Sequence, residues 1–203
     1  TISNMLLVKI ILLEERKKLV EISRHPDLLA RLNELPMVAR YRVGGIRVGV
    51  VHGDAESLAG WRFDAAALDD PAEHAWRAEA FARAEVDVFA STHTCLPAMR
   101  CYDLDGLKLV ANNGAAGMPN ARGTHFGILT RIARTPSPHA CLYGHRVQGV
   151  QVDALAVRYD DAAWRRSFLD NWQAGSPACL SYFERIAQGP EFRLQDTVEP
   201  AAV

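Results

Sequence analysis

The chain has 203 residues, 49% hydrophobic and 23% charged, with a formal net charge of −1. That composition supplies apolar mass for one sizeable core. Near-zero charge argues against a surface built for nucleic acid or acidic membranes, which needs an excess of Lys and Arg.

No apolar run approaches the roughly 18 residues of a membrane span. The greasiest stretch, Met5–Leu13, is interrupted by Lys9 and followed by Glu14 and Glu15, so residues 5–22 are predicted to form a helix rather than a signal peptide. Pro26 opens a second short helix. The runs 37–43 and 46–51 flank Gly44-Gly45, a two-residue hairpin signal. Residues 71–85 read as an amphipathic helix, and 86–90 as a short apolar strand. Residues 100–102 and 107–111 flank Asp103–Gly106 as a second hairpin. The segments 125–133, 140–143 and 150–159 are predicted as antiparallel strands. Asp160 or Asp161 caps a helix to about Trp172, and Ser176-Pro177 opens another that ends near Gly189-Pro190. The last ten residues are expected to fray. Short strands interleaved with helices predict a layered α/β protein with a mixed β-sheet sandwich flanked by helices. The four cysteines (Cys95, Cys101, Cys141, Cys179) include no C-x-x-C pair, which suits a reduced, cytoplasmic setting.

Two of the predicted strands, 46–51 and 86–90, each run into a loop with a histidine, His52 and His93. Ligands gather at the carboxyl ends of strands in such folds, and imidazole suits divalent transition metals. Asp54 is placed to serve catalysis by holding a water or by orienting a ligand through a hydrogen bond, and Cys95 offers a thiolate. Each of these residues also has a plain reading. Most histidines bind nothing, and Gly53-Asp54 suits an ordinary turn. His125, His139 and His145 read as surface or strand histidines. Trp61 and Phe63 either pack over the cleft mouth or belong to the core.

The order of the motifs adds more. His52-Gly53 follows one strand, Thr92-His93-Thr94-Cys95-Leu96-Pro97 follows the next, and Asn112-Asn-Gly-Ala-Ala-Gly-Met-Pro119 follows a hairpin. The succession resembles the C-terminal half of the calcineurin-like metallophosphoesterases, most closely their small bacterial and archaeal phosphodiesterase branch. That family has His-Gly, then Gly-His-Thr-His-x-Pro, then Asn-Pro-Gly-Ser-x-Gly-x-Pro. The resemblance implies a dinuclear centre of manganese, zinc or iron, with His52 and His93 on one ion. Cys95 stands where the family has the histidine of the other ion, and Thr92 where it has glycine. Thr94 and Asn112 would lie beside the substrate, with Asn112 and Gly114 in the turn that closes the sheet.

The family's Asp-x-His, Gly-Asp and Gly-Asn motifs have no counterpart before His52 beyond Asn4. Residues 1–203 are therefore expected to be a single domain lacking its N-terminal part. The expected activity is hydrolysis of a small phosphate ester, with no membrane and no long nucleic acid as partner, and a homo-oligomer is open. Two rivals stand beside it. One is a non-catalytic binding or scaffolding protein of the same fold. The other is a hydrolase using Cys95 as nucleophile with His93, though residues i and i+2 of an extended loop point apart.

Overall fold

A computed structural model of the chain describes residues 25–198, and the helix expected over 5–22 lies outside them. The chain divides into two compact units. Among the described residues, one contains 25–36 together with Ala162–Glu184; the other runs from Met37 to Asp161 and resumes at Arg185.

The larger unit carries two sheets. Sheet one has strands β1 (Ala39–Val43), β2 (Ile46–Val50), β3 (Val88–Ser91), β4 (Pro97–Leu104) and β5 (Gly106–Asn113), in the order β1-β2-β3-β5-β4. The expected hairpin at Gly44-Gly45 is present, with Val43 paired to Ile46. The second hairpin is tighter than its sequence suggests. Leu104 pairs with Gly106 and leaves a single residue between the strands, a turn that Gly106 allows by adopting φ +79°. Strands β2, β3 and β5 are mutually parallel, so their carboxyl ends emerge on one side. Sheet two is antiparallel, with β6 (Phe126–Ala133), β8 (Val150–Arg158) and β7 (Cys141–Val147) in that order. A mixed sheet, an antiparallel sheet and flanking helices make the layered α/β architecture that the element pattern predicted.

The core follows from the alternation of the strands. Ile46, Val48, Val88, Met99, Leu109 and Ala111 form one cluster with Val147, Val150 and Val152 of sheet two. Phe89, Ala98 and Val110 point the opposite way. They meet helices α1 (Ala65–Asp69) and α2 (His74–Ala84) through Leu68, Ala80, Phe81 and Ala84. Phe89 is the hub of this second face, with ring centroids 5.1 Å from Phe63 and 4.9 Å from Phe81. Such aromatic pairs contribute about 0.5–1.5 kcal/mol each beyond area burial. Gly49 is opposite Phe89 in the register. A Cβ there would lie 3.1 Å from the Phe89 ring, which explains a glycine inside an otherwise apolar strand.

Helix α1 is absent from the sequence expectation, because five residues are too few to show a period. It is built instead by its caps. The Asp64 carboxylate accepts the Ala67 amide at its start. At its end Arg77 donates to the Ala67 and Asp70 carbonyls, and Tyr102 to the Leu68 carbonyl. The expected fraying of the last ten residues is corrected in part. Leu194–Thr197 forms a 3₁₀ turn and Val198 bridges Met99, while buried Arg100 donates to the Thr197 carbonyl at 2.5 Å.

In the smaller unit, helix α3 (Asp161–Asn171) and the first two turns of α4 (Pro177–Gln188) are joined by stacked Phe168 and Phe183, with centroids 6.0 Å apart. Ser176 caps α4 as expected, its hydroxyl accepting the Cys179 amide at 3.3 Å. Helix Pro26–Asn33 also belongs here.

At the amino ends of the parallel strands, the Asp87 carboxylate accepts from the Arg47 backbone amide at 2.8 Å and from the Lys108 ammonium at 2.9 Å. Their side chains are only 10% and 12% exposed. Burial pushes the Asp87 carboxyl up, but the Arg47 amide and the Lys108 charge outweigh it and hold it below its ordinary 3.8. A depressed carboxyl contributes stability above the unfolded value and loses it as pH falls through the folded one. The contribution should be intact at pH 5, begin to fall near pH 3.8 and be lost as pH drops through the lower folded value. Asp87→Asn should lower stability at pH 7 by about 1–2 kcal/mol, because it removes the carboxylate that the partly buried Lys108 ammonium bonds, and should flatten the acid limb of the stability profile.

Candidate functional site

Three parallel strands end side by side, and the backbone pairing continues past them. Val51 N donates to Ala90 O at 3.0 Å, and Thr92 N donates to His52 O at 3.1 Å. The ladder therefore sets His52 beside Thr92-His93, although 41 positions separate the histidines. Their rings meet edge to face with centroids 5.0 Å apart, and His93 Nδ1 lies 3.2 Å from His52 Nε2. The other nitrogen of His93, Nε2, is buried without a hydrogen-bond partner among the described residues.

The loop carrying His93 is not extended. His93 and Cys95 both adopt the left-handed conformation, with φ +51° and +60°, uncommon for residues with a side chain and concentrated at functional sites. Several bonds hold it. Thr92 Oγ1 donates to Gly114 O at 2.7 Å, the Cys95 thiol to His93 O at 3.3 Å, and the Arg185 guanidinium to Cys95 O.

The remaining sequence candidates lie close by but are otherwise engaged. Asp54 was expected to orient a histidine. Its carboxylate instead accepts from the Glu56 and Ser57 amides at 2.9 Å and from the Arg62 amide at 3.3 Å, clamping the loop that follows His52. Gly60 fits against this clamp, where a Cβ would fall 1.8 Å from Asp54 Oδ2. Gly53 is pressed against the same loop, its Cβ position 2.4 Å from Ser57 O. Thr94 and Asn112 were expected beside substrate, and both are buried. Asn112 Nδ2 donates to Phe63 O at 2.8 Å and to Thr94 Oγ1 at 2.7 Å, and its Oδ1 accepts Gly114 N at 2.9 Å. Asn120, which sequence reasoning passed over, locks the third motif by bonding both the amide and the carbonyl of Ala115 at 2.7 Å. The two aromatics part company. Phe63 is core, whereas Trp61 is 59% exposed with its ring 5.5 Å from that of His93. His125 lies 3.5 Å from Asp161, and His139 and His145 are exposed.

The donor set can be tested against a metal. Two nitrogens at about 2.0–2.1 Å from one ion in near-tetrahedral geometry lie about 3.2–3.4 Å apart. The observed 3.2 Å fits one ion shared by His52 and His93. Two ions do not fit: among the described residues no group of three or more His, Cys, Asp or Glu is placed to hold a metal.

Fold and site thus define an α/β protein with two imidazoles converging at the carboxyl ends of parallel strands. No family model matches this chain, and no curated protein matches it either. Solved structures similar to it include a hypothetical protein from Pyrococcus horikoshii OT3, with 12% identity over 80% of this chain and 54% of that one, at a TM-score of 0.49. They include a metallophosphoesterase from Sphaerobacter thermophilus, with 16% identity over 80% of this chain and 61% of that one, at 0.46. Vacuolar Protein Sorting 29 from Cryptosporidium parvum follows, with 18% identity over 62% of this chain and 58% of that one, at 0.29. The chain therefore spans little more than half the length of these structures, and none of them bears on the chemistry of the site. Among the described residues no helix is long and apolar enough to cross a membrane.

Proposed function

We propose that this chain carries part of a metal-dependent phosphoesterase site, with His52 and His93 holding a divalent transition metal ion. The observation that supports this best is the 3.2 Å approach of His52 Nε2 and His93 Nδ1 at the ends of adjacent parallel strands. The motif order and the left-handed His93 and Cys95 add to it. A bound ion would act as a Lewis acid on a phosphoryl oxygen and lower the pKa of a coordinated water. The chain's own residues orient the two rings. The strand ladder places the His52 backbone, the Thr92–Gly114 bond fixes the base of the His93 loop, and the Asn112 bonds tie that loop to Phe63 and Gly114. A small phosphate ester is the proposed substrate.

A second reading, a binding or scaffolding protein of this fold without turnover, is favoured by the two imidazoles found together among the described residues, because a dinuclear hydrolase needs more ligands than that. One experiment separates the readings. Zinc and manganese uptake by the purified chain is followed by calorimetry, and hydrolysis of a nitrophenyl phosphodiester is measured in the same samples. One ion per chain with metal-dependent turnover supports the phosphoesterase. One ion without turnover supports the binding protein, and no uptake overturns the phosphoesterase. Cys95→Ser is expected to leave the stoichiometry unchanged, since the thiol donates to the His93 carbonyl; a fall would make Cys95 a ligand.

A further inference from the structure

Trp61 is the large apolar side chain beside the histidine pair, and its surroundings ask for an explanation. It is 59% exposed, while Phe63, two residues on, is 1% exposed and Trp76 packs against the same core. Exposure of an indole is ordinary on a loose loop, but this loop is held. The Asp54 carboxylate takes the amides of Glu56, Ser57 and Arg62, Trp61 O accepts Asp64 N at 3.0 Å, and the backbone of Gly60 is packed onto Asp54. The neighbouring Arg62 turns away, its guanidinium 4.6 Å from the Trp76 ring centroid and its Nε 3.3 Å from Glu73. Trp61 turns toward the site, edge to face with His93 at 5.5 Å and 69°. That contact uses little of the indole and leaves most of the ring to solvent. A largely bare indole on a held loop beside two imidazoles offers a flat face on which a planar ring can stack, as aromatic side chains do for nucleobases.

We infer that Trp61 is a specificity-determining residue that stacks a planar aromatic group of the substrate, a nucleobase or an aryl ring, while the phosphate faces His52 and His93. This rests on the phosphoesterase reading for the phosphate's position, but the ring preference can be measured by binding alone. Asp54 acts through Trp61 as a positioning residue, by fixing the loop that carries the indole.

Binding is measured by calorimetry on the full chain with manganese present, using four probes: adenosine 5′-monophosphate, ribose 5-phosphate, phenyl phosphate and ethyl phosphate. Stacking on one aromatic side chain strengthens binding about 5- to 150-fold. Adenosine monophosphate should therefore bind tighter than ribose 5-phosphate by a factor in that range. Trp61→Ala should abolish the ratio and Trp61→Phe should keep much of it, with circular dichroism showing that both variants are folded. A preference shared by phenyl over ethyl phosphate assigns the platform to aromatic rings in general, and one confined to adenosine monophosphate assigns it to nucleotides; either supports the inference. A wild-type ratio near one, or a ratio that survives Trp61→Ala, overturns it. Failure of the phosphoesterase reading would look different: no metal uptake and no hydrolysis, whatever the ring preference.

Discussion

His93→Ala should lower the affinity of the chain for zinc by more than about a hundredfold. Loss of a residue that merely orients a metal ligand typically costs 10–100-fold, and here a ligand itself is removed. The variant has a built-in control, because His93 is left-handed, with φ +51°. Alanine keeps the backbone cost of that conformation, about 1–2 kcal/mol, while glycine removes it. His93→Gly should therefore unfold at a higher temperature than His93→Ala yet lose zinc to the same degree. Equal zinc loss in both assigns the effect to the imidazole rather than to a relaxed loop. His52→Ala should match His93→Ala, and the double variant should be little worse than either single one, since one ion held by two rings is already lost with the first. Calorimetric affinities within about threefold of wild type for both single variants would remove the metal site from the molecule.

The parts of this site visible in the sequence are the local ones. The short apolar runs 46–51, 86–90 and 107–111 mark buried strands, and Gly44-Gly45 marks a turn of fixed length. From these a mixed sheet holding the three strands could be anticipated, but not that they lie side by side and run parallel. His52 and His93 could then be expected to face one cleft, because each follows an apolar strand and ligands gather at the carboxyl ends of strands in such folds.

What escaped notice depends on bonds between distant residues. Asp54 reads as a polar residue free to orient a ring, but its oxygens are taken by amides two to eight positions later. Nothing in Thr92–Pro97 announces two left-handed residues, since glycine is the usual sign and none is present. Trp61 and Phe63 have the same chemical character and similar neighbours. Only the clamp on the loop and the position of Phe89 send one ring outward and the other into the core. The contact of Arg185 with Cys95 joins residues 90 positions apart, and no local pattern carries it.

Asn112→Ala tests whether the end of β5 contributes chemistry or architecture. Asn112 is 1% exposed, and its carboxamide joins two backbone groups, Phe63 O and Gly114 N, and the Thr94 hydroxyl. Alanine takes this partner from the Phe63 carbonyl and the Gly114 amide in a buried place, while the Thr94 hydroxyl keeps its bond to Leu96 O at 3.3 Å; each unsatisfied group costs about 1–3 kcal/mol, with some relief from relaxation. The total should reach about 3–4 kcal/mol, which for a chain of this size lowers Tm by roughly 6–16 °C. Asn112→Asp should be no better. It keeps an acceptor for Gly114 N but turns an oxygen toward the Phe63 carbonyl in place of the donating amide. Because Thr94 sits between His93 and Cys95, losing its bond to Asn112 should also loosen the left-handed turn and weaken zinc binding. The two effects should fall together, with stability and metal affinity both restored only by the amide. A contact with substrate would behave otherwise, raising KM while leaving Tm and zinc affinity unchanged. That result would return Asn112 to the substrate-binding role its sequence position first implied.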